Sequence, residues 1–399
     1  MSEKTKNILF YFTKGDKAIW GVVILLFIIS ILTVYSATGT LAYKYQGGNT
    51  AYYLFKHLSI VVFGFLLIFL THLIPYRKFA IITVLALFLA IILLVLTHFM
   101  GTNINEADRW LSIPFLGISF QTSDLGKLAI IMYVARALSI YKDNVKTFNQ
   151  FEFKNAILPI LLPIFIICGL ILKSNFSTSA LIFVTCIVLM FVGNVNIKYL
   201  LSIGLIGIVS FLVFIFILNK STDTGRLGTW KKRIDTFVNA KSNDENSDLK
   251  RGRFSDANYQ AEQSKIAIAT GKIFGKGPGN STQRNFLPHP YSDFIYAIII
   301  EEYGFVGGFV VLFLYLVVMY RALIILINSS GTFGALLAFG LSFSLVFQGM
   351  TNMAVAVNLF PVTGQPLPFI SMGGTSIWFS SISLGIILSV SKDIKTEEF

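Results

Sequence analysis

Three carboxylates fall within LPHPYSDFIYAIIIEEYG (Leu287–Gly304): Asp293, then Glu301 and Glu302 after an apolar run. A carboxylate at the edge of such a run can act as a general base if a substrate hydroxyl comes within hydrogen-bond reach. Asp293 and Glu301 do not suit a shared acid–base pair. On one helix, eight residues separate them by about 12 Å along the axis and about 80° around it, whereas paired glycosidase carboxylates lie about 5–9.5 Å apart. Asp293 therefore needs partners from elsewhere in the chain. The other reading of Asp293 is an acid that only complements a helix dipole, worth about 0.3–1 kcal/mol. Spacing alone leaves both readings open.

Partners of the required types exist. QTSDLGK (121–127) places Asp124 and Lys127 three residues apart, on one helix face. They either form a structural ion pair or line a polar cavity, and ionisable groups inside an apolar span mark function by default. ADRWL (107–111) offers Arg109, whose guanidinium fork suits a phosphate, although an Arg beside Trp110 also fits an interfacial anchor. GKIFGKGPGNSTQR (271–284) has the glycine spacing of a backbone that can cradle an anion. It lacks the Gly-Lys-Ser/Thr ending of a nucleotide P-loop. Cys168 and Cys186 sit in apolar runs and read as core residues. The four histidines show no ligand spacing.

The elements that position these groups are greasy. Of 399 residues, 55% are hydrophobic and 13% charged, with mean hydropathy +0.72, against about 25% charged in a soluble domain. This composition predicts an all-α integral membrane protein, a single polytopic domain over 1–399, and gives no sign of a nucleic-acid partner. Ten apolar segments are candidate transmembrane helices: 18–37, 57–75, 79–100, 123–141, 155–172, 178–194, 198–218, 304–325, 332–352 and 373–391. The N-terminal stretch has no small-residue cleavage site, so the first segment reads as an anchor. Fourteen Lys/Arg on one set of ends and short loops, against four on the other, predict that both termini are cytoplasmic.

Two connections stand out. The long extracytoplasmic loop, about 219–292, carries 13 Lys/Arg and 7 Asp/Glu, half of the net +12. It is read either as a solvated loop or as a basic surface facing an anionic partner. Thr351–Ser376 has no charge but three prolines and three glycines. It is read as a re-entrant segment lining a cavity or as a plug between helices nine and ten. Finally, one straight helix from Asp293 to Ile325 would measure roughly 50 Å, against a hydrocarbon core of about 30 Å. A short helix after Pro288 and Pro290, a break near EEYG and a span beyond Gly304 are expected instead.

Together these stretches resemble the SEDS family (shape, elongation, division and sporulation), the RodA/FtsW/SpoVE group of bacterial peptidoglycan polymerases. The likeness covers nearly the whole chain: VYSAT (34–38), RWL (109–111), QTSDLGK, similar to the family's Q-P-S-E-x-x-K, GKGPGNSTQ (275–283), the SDFIYAIIIEEYG run and PVTGQPLPFISMGGTS (361–376). The spelling GKGPGNS is closer to the FtsW-type division branch than to the RodA-type elongation branch.

The resemblance implies polymerisation of lipid II at the outer face of the cytoplasmic membrane, at the division septum, with release of undecaprenyl pyrophosphate. It implies a catalytic role for Asp293, with Asp124 and Lys127 lining the same cavity. Lys127, Arg109 and Arg233 are then candidates for the pyrophosphate, and Gln121, Ser123, Asn280, Ser281, Gln283 and Ser371 for other substrate contacts. A divalent cation, Mg or Mn, is a possible cofactor with no assigned ligands. The implied partners are a class B penicillin-binding protein and other division proteins. The chain departs from the family pattern at His289, Asn175 and Asp124, which thins the acids near the site. A lipid II flippase, an elongation-type polymerase and a non-catalytic division scaffold are the competing readings, although no inverted internal repeat favours a transporter.

Overall fold

The computed structural model describes residues 14–100, 102–104, 107–113, 118–146, 148–172, 174–220 and 256–394. The chain is mostly helical: α1 (Lys17–Ala37), α2 (Gly39–Tyr45), α3 (Thr50–Leu73), α4 (Tyr76–Met100), α5 (Thr122–Ile140), α6 (Gln150–Leu172), α7 (Phe176–Val192), α8 (Ile197–Lys220), α9 (Asp256–Gly271), α10 (Ile295–Asn328), α11 (Thr332–Ala356) and α12 (Thr375–Ser391). All ten apolar segments fall on helices. Among the described residues, six of those helices, α1, α3, α4, α6, α10 and α11, are long and apolar enough to cross a membrane.

Side-chain caps start several of them. Asp16 accepts from Ala18 N at 2.9 Å and Ile19 N at 3.2 Å ahead of α1. Asn175 accepts from Thr178 N at 3.3 Å ahead of α7. Each satisfies amides that a helix leaves orphaned at its start.

One expectation needs correction. The fold is not purely helical: Thr102–Ile104 (β1), Ala107–Ile113 (β2) and Ile118–Gln121 (β3) form an antiparallel sheet in the order β1-β2-β3. The connection between the third and fourth apolar segments is too short and too polar for a helix across the bilayer, and it pairs its own backbone instead. The long connection, expected as a solvated loop or a basic surface, has structure of its own. It contains α9, and residues 272–292 pack back onto the bundle; 221–255 lie outside the described residues.

The expected break in α10 is present at Gly304, whose φ of 71° and ψ of −171° are non-helical. An unbroken helix would bond Phe305 N to Glu301 O and Val306 N to Glu302 O. Here the glycine-rich turn takes all four groups. Lys276 N and Gly277 N donate to the carbonyls of Glu301 and Glu302, at 2.9 and 3.0 Å. Phe305 N and Val306 N donate to the carbonyls of Lys272 and Ile273, at 2.9 and 3.2 Å. These four backbone groups, which the break takes out of the helix ladder, are thus all paired, as buried backbone requires. The approach is so close that a Cβ on Gly304 would lie 2.1 Å from Ile273 O.

One end of the bundle collects the start of α1 and the ends of α3, α10 and α12. Arg321 bonds Asp16 at 2.5 Å, Asp16 N donates to Ser391 Oγ at 3.0 Å, and Lys392 Nζ donates to His72 O at 2.6 Å. The opposite end collects the starts of α5, α7, α10 and α12 and the end of α11. Burial ranks the helices: 78% of the apolar window of α11 is buried, against 22% of α3 and 28% of α4. Polar groups at the end of α11 therefore face protein rather than the apolar exterior.

Candidate functional site

Asp293 is half-buried, immediately before α10, and its carboxylate accepts from Ser292 Oγ at 2.8 Å. The backbone beneath it is held at three successive carbonyls. Met372 N donates to Tyr291 O at 2.9 Å, Ser371 Oγ to Ser292 O at 2.6 Å, and Asn352 Nδ2 to Asp293 O at 2.9 Å. The donors come from the Pro/Gly-rich segment between α11 and α12 and from α11 itself. The uncharged segment thus splints the acid. Ser371, expected at the substrate, is buried and also accepts from Leu367 N at 2.8 Å. Beside Asp293, burial pushes the Tyr291 phenol above its ordinary pKa, with Tyr53 and Asp293 adding to the shift.

Lys127 and Asp124 leave the first turns of α5; Asp124 is buried, and 12% of the Lys127 side chain is exposed. The ammonium lies 3.9 Å from Asp124 Oδ1 but 2.6 Å from Gln348 Oε1. Its principal partner is thus an amide on α11 rather than its ion-pair neighbour. Gln348 passes the connection on, donating from Nε2 to Pro366 O at 2.9 Å. Next along, Gln365 O accepts from Asn352 Nδ2 at 2.7 Å, and Gln365 Nε2 donates to Thr178 Oγ1 at 2.5 Å. Asp124 Oδ2, Asn175 Nδ2 and Asn352 Oδ1 are buried around this network without a hydrogen-bond partner among the described residues. Buried polar atoms normally find one, so these three are positioned for water or a bound molecule.

Gln121 donates from Nε2 to Ser123 Oγ at 2.8 Å, and its backbone N donates to Thr375 Oγ1 at 3.3 Å, joining α5 to α12. Trp110 pairs with Gln121 across β2 and β3. That register brings the strand containing Arg109 to the entrance of α5. Arg233 lies outside the described residues.

The glycine-rich loop does cradle an anion, and the anion is the protein's own. Glu301 is fully buried. It accepts from Lys276 Nζ at 2.6 Å, Ser281 Oγ at 2.5 Å, Thr282 N at 3.1 Å, Thr282 Oγ1 at 2.8 Å and Gln283 N at 3.2 Å. Asn280 is exposed and donates to Lys276 O at 3.1 Å. Asn280, Ser281 and Gln283, expected at the substrate, are thus engaged in shaping the loop. Glu302 accepts from Ser36 Oγ of α1. Arg284 Nη1 donates to Ser36 O and Ser36 Oγ, both at 3.1 Å. The two glutamates, which spacing separated from Asp293, thus fasten the loop leading to it.

Gln348, Asn352, Gln365, Arg284 and Ser36 were not singled out from the sequence. QGMTN (348–352) held a usable signal, two amides one helical turn apart in an otherwise apolar span. Among the described residues, no three His, Cys, Asp or Glu come together. The site thus offers a divalent cation single carboxylates and not a cage. Mg²⁺ commonly accepts one or two carboxylates, with substrate phosphates completing its shell.

The arrangement pairs a half-exposed carboxylate on fixed backbone with a partly buried cation, both tied to the same irregular segment. Such a pair can accept a proton and offset charge developing on a leaving oxyanion.

Comparison with known proteins places this geometry in context. Residues 16–396 match the model of the "Cell cycle protein" family that groups FtsW, RodA and SpoVE. A "Probable peptidoglycan glycosyltransferase FtsW" of Trichlorobacter lovleyi is 30% identical over 390 residues, 97% of this chain and 95% of the relative. "Stage V sporulation protein E" of Bacillus subtilis is 30% identical over 383 residues, 95% and 98% of the two chains. In fold, the chain is similar to the Thermus thermophilus rod shape determining protein RodA, with a TM-score of 0.65, 21% identity and coverage of 96% and 98%. It is also similar to a chain from a structure of a peptidoglycan synthase complex, with a TM-score of 0.70, 22% identity and coverage of 96% and 99%.

Proposed function

Because the chain belongs to the FtsW/RodA/SpoVE family of cell cycle proteins, we propose that it is a peptidoglycan glycosyltransferase that polymerises lipid II during septal cell division. The relative named as a probable peptidoglycan glycosyltransferase FtsW, alike over nearly its full length, supports this reading. The observation that carries the site assignment is the splint beneath Asp293, with three successive carbonyls held while the carboxylate stays half-exposed. A general base needs this combination of fixed position and access.

In the proposed step, a hydroxyl of the acceptor sugar attacks the anomeric carbon of the donor. The new glycosidic bond forms as the bond to the pyrophosphate oxygen breaks. The hydroxyl proton passes to Asp293, and the electron pair leaves with undecaprenyl pyrophosphate. Lys127 offsets the charge on that leaving group, and Arg109 lies on the strand beside the entrance. A divalent cation would add Lewis-acid stabilisation of the pyrophosphate, held by its phosphate oxygens and few protein ligands. The apolar groove of about 410 Å³ along the middle of α3, lined by Phe55, Leu58, Val62, Phe63 and Leu66, suits the polyprenyl chain.

The proposed topology has ten spans with both termini cytoplasmic. It is supported by the Lys/Arg asymmetry and by the gathering of the start of α1 and the end of α12 at the bundle end away from Asp293. The site then faces outward, in the cytoplasmic membrane at the septum. A class B penicillin-binding protein is the proposed partner, and the fold likeness to a chain of a peptidoglycan synthase complex supports it. The test is polymerisation of labelled lipid II by the purified chain with its partner. Lipid II crossing liposome membranes without forming strands would instead support the flippase reading.

A further inference from the structure

Gln348 and Asn352 lie four residues apart on α11, so their side chains leave the same face. Both are buried, at 3% and 1% exposure. Each amide donates to one of two adjacent carbonyls in the irregular segment, Gln348 to Pro366 O and Asn352 to Gln365 O. Each also grips one pole of the site. Gln348 Oε1 accepts from Lys127 Nζ at 2.6 Å, and Asn352 Nδ2 donates to Asp293 O at 2.9 Å.

Lys127 belongs to α5, whereas Asp293 precedes α10. The two helices are distant in sequence, and α11 stands between them as the most buried of the six long apolar helices. The amides are thus a two-point link, with one helix turn fixing the spacing and one dipeptide, Gln365-Pro366, serving as the common anchor.

Resting on the glycosyltransferase reading of the site, we propose that Gln348 and Asn352 are positioning residues that set the separation of Asp293 from Lys127. The base acts on the attacking hydroxyl and the cation on the departing oxygen, two atoms that flank one anomeric carbon, and a displacement of about 1 Å can cost about 10²-fold in rate. Neither amide side chain touches the reacting atoms in this scheme; each acts through the group it holds.

The test uses the full chain with lipid II and compares Asn352→Ala, Gln348→Glu and Gln348→Leu. Gln348→Glu keeps an acceptor for Lys127 but loses the donor to Pro366 O, whereas Gln348→Leu loses both. Expected are a fall in kcat of about 10- to 100-fold for Asn352→Ala with KM nearly unchanged, and a severalfold higher kcat for Gln348→Glu than for Gln348→Leu. Thermal melting in detergent reports folding separately. If Asn352→Ala fails to fold, the two Gln348 variants decide. Wild-type kcat in the variants that fold, equal rates for Gln348→Glu and Gln348→Leu, or a loss confined to KM would overturn the proposal. A wild-type rate in Asp293→Ala would overturn the assignment of the site itself, an outcome read independently of the amide variants.

Discussion

The Lys276 ammonium lies 2.6 Å from Glu301 Oε1, and the carboxylate it meets is fully buried while the lysine is 29% exposed. The pair closes the glycine-rich loop over the break in α10, and the same loop runs on to Asp293.

Removing Lys276 leaves a buried carboxylate with its remaining donors from Ser281, Thr282 and Gln283. Breaking a buried pair outright costs about 3–5 kcal/mol. With those donors retained, Lys276→Ala is expected to cost about 1–3 kcal/mol. Glu301→Ala is expected to cost more, because it leaves the Thr282 and Gln283 amides and the Ser281 hydroxyl without their acceptor. Thermal unfolding and limited proteolysis within 271–290 measure both; unchanged melting in Glu301→Ala would show that the loop does not depend on the carboxylate.

Gly304 has positive φ and sits against Ile273 O, so a methyl group there meets backbone that cannot move aside. Gly304→Ala is expected to unseat the loop and abolish polymerisation. Gly21 has nothing within 4 Å of an added Cβ. Gly21→Ala should be neutral or stabilise α1 by up to about 1 kcal/mol. Melting curves of the two variants side by side provide the check.

Ser36 joins three elements, accepting from Arg284 and donating to Glu302. Ser36→Ala is expected to cost about 1–3 kcal/mol, because Glu302 loses the hydroxyl it accepts from and Arg284 loses one of its acceptors. Ser36→Thr retains the hydroxyl and should recover part of the loss in melting temperature.

Chelation tests the proposed cation. EDTA is expected to slow strand formation, and added Mg²⁺ or Mn²⁺ to restore it, without shifting the melting temperature. An equal rate in EDTA would place the whole burden of leaving-group charge on protein groups.

Much of the fold was legible in the sequence. The ten apolar runs became helices, and the length of the stretch after Asp293 predicted its break, because a single helix would overshoot a bilayer. The Asp124–Lys127 spacing predicted proximity, which the structure shows at 3.9 Å. What spacing could not reveal was the partner across space. Gln348 becomes the stronger ligand of Lys127 only because α11 packs against α5. The glycine loop advertised an anion cradle, but Glu301, eighteen residues beyond Gln283, fills it. Composition likewise hid the sheet at 102–121, where short runs pair with one another rather than with a periodic apolar face.

The most direct measurement is polymerisation of labelled lipid II by the purified chain with its transpeptidase partner, comparing wild type with Asp293→Ala at equal folded concentration. Long glycan strands from the wild type and none from Asp293→Ala, with unchanged melting temperature, are the predicted result. Wild-type strand formation by Asp293→Ala would contradict the assignment of Asp293 as the base.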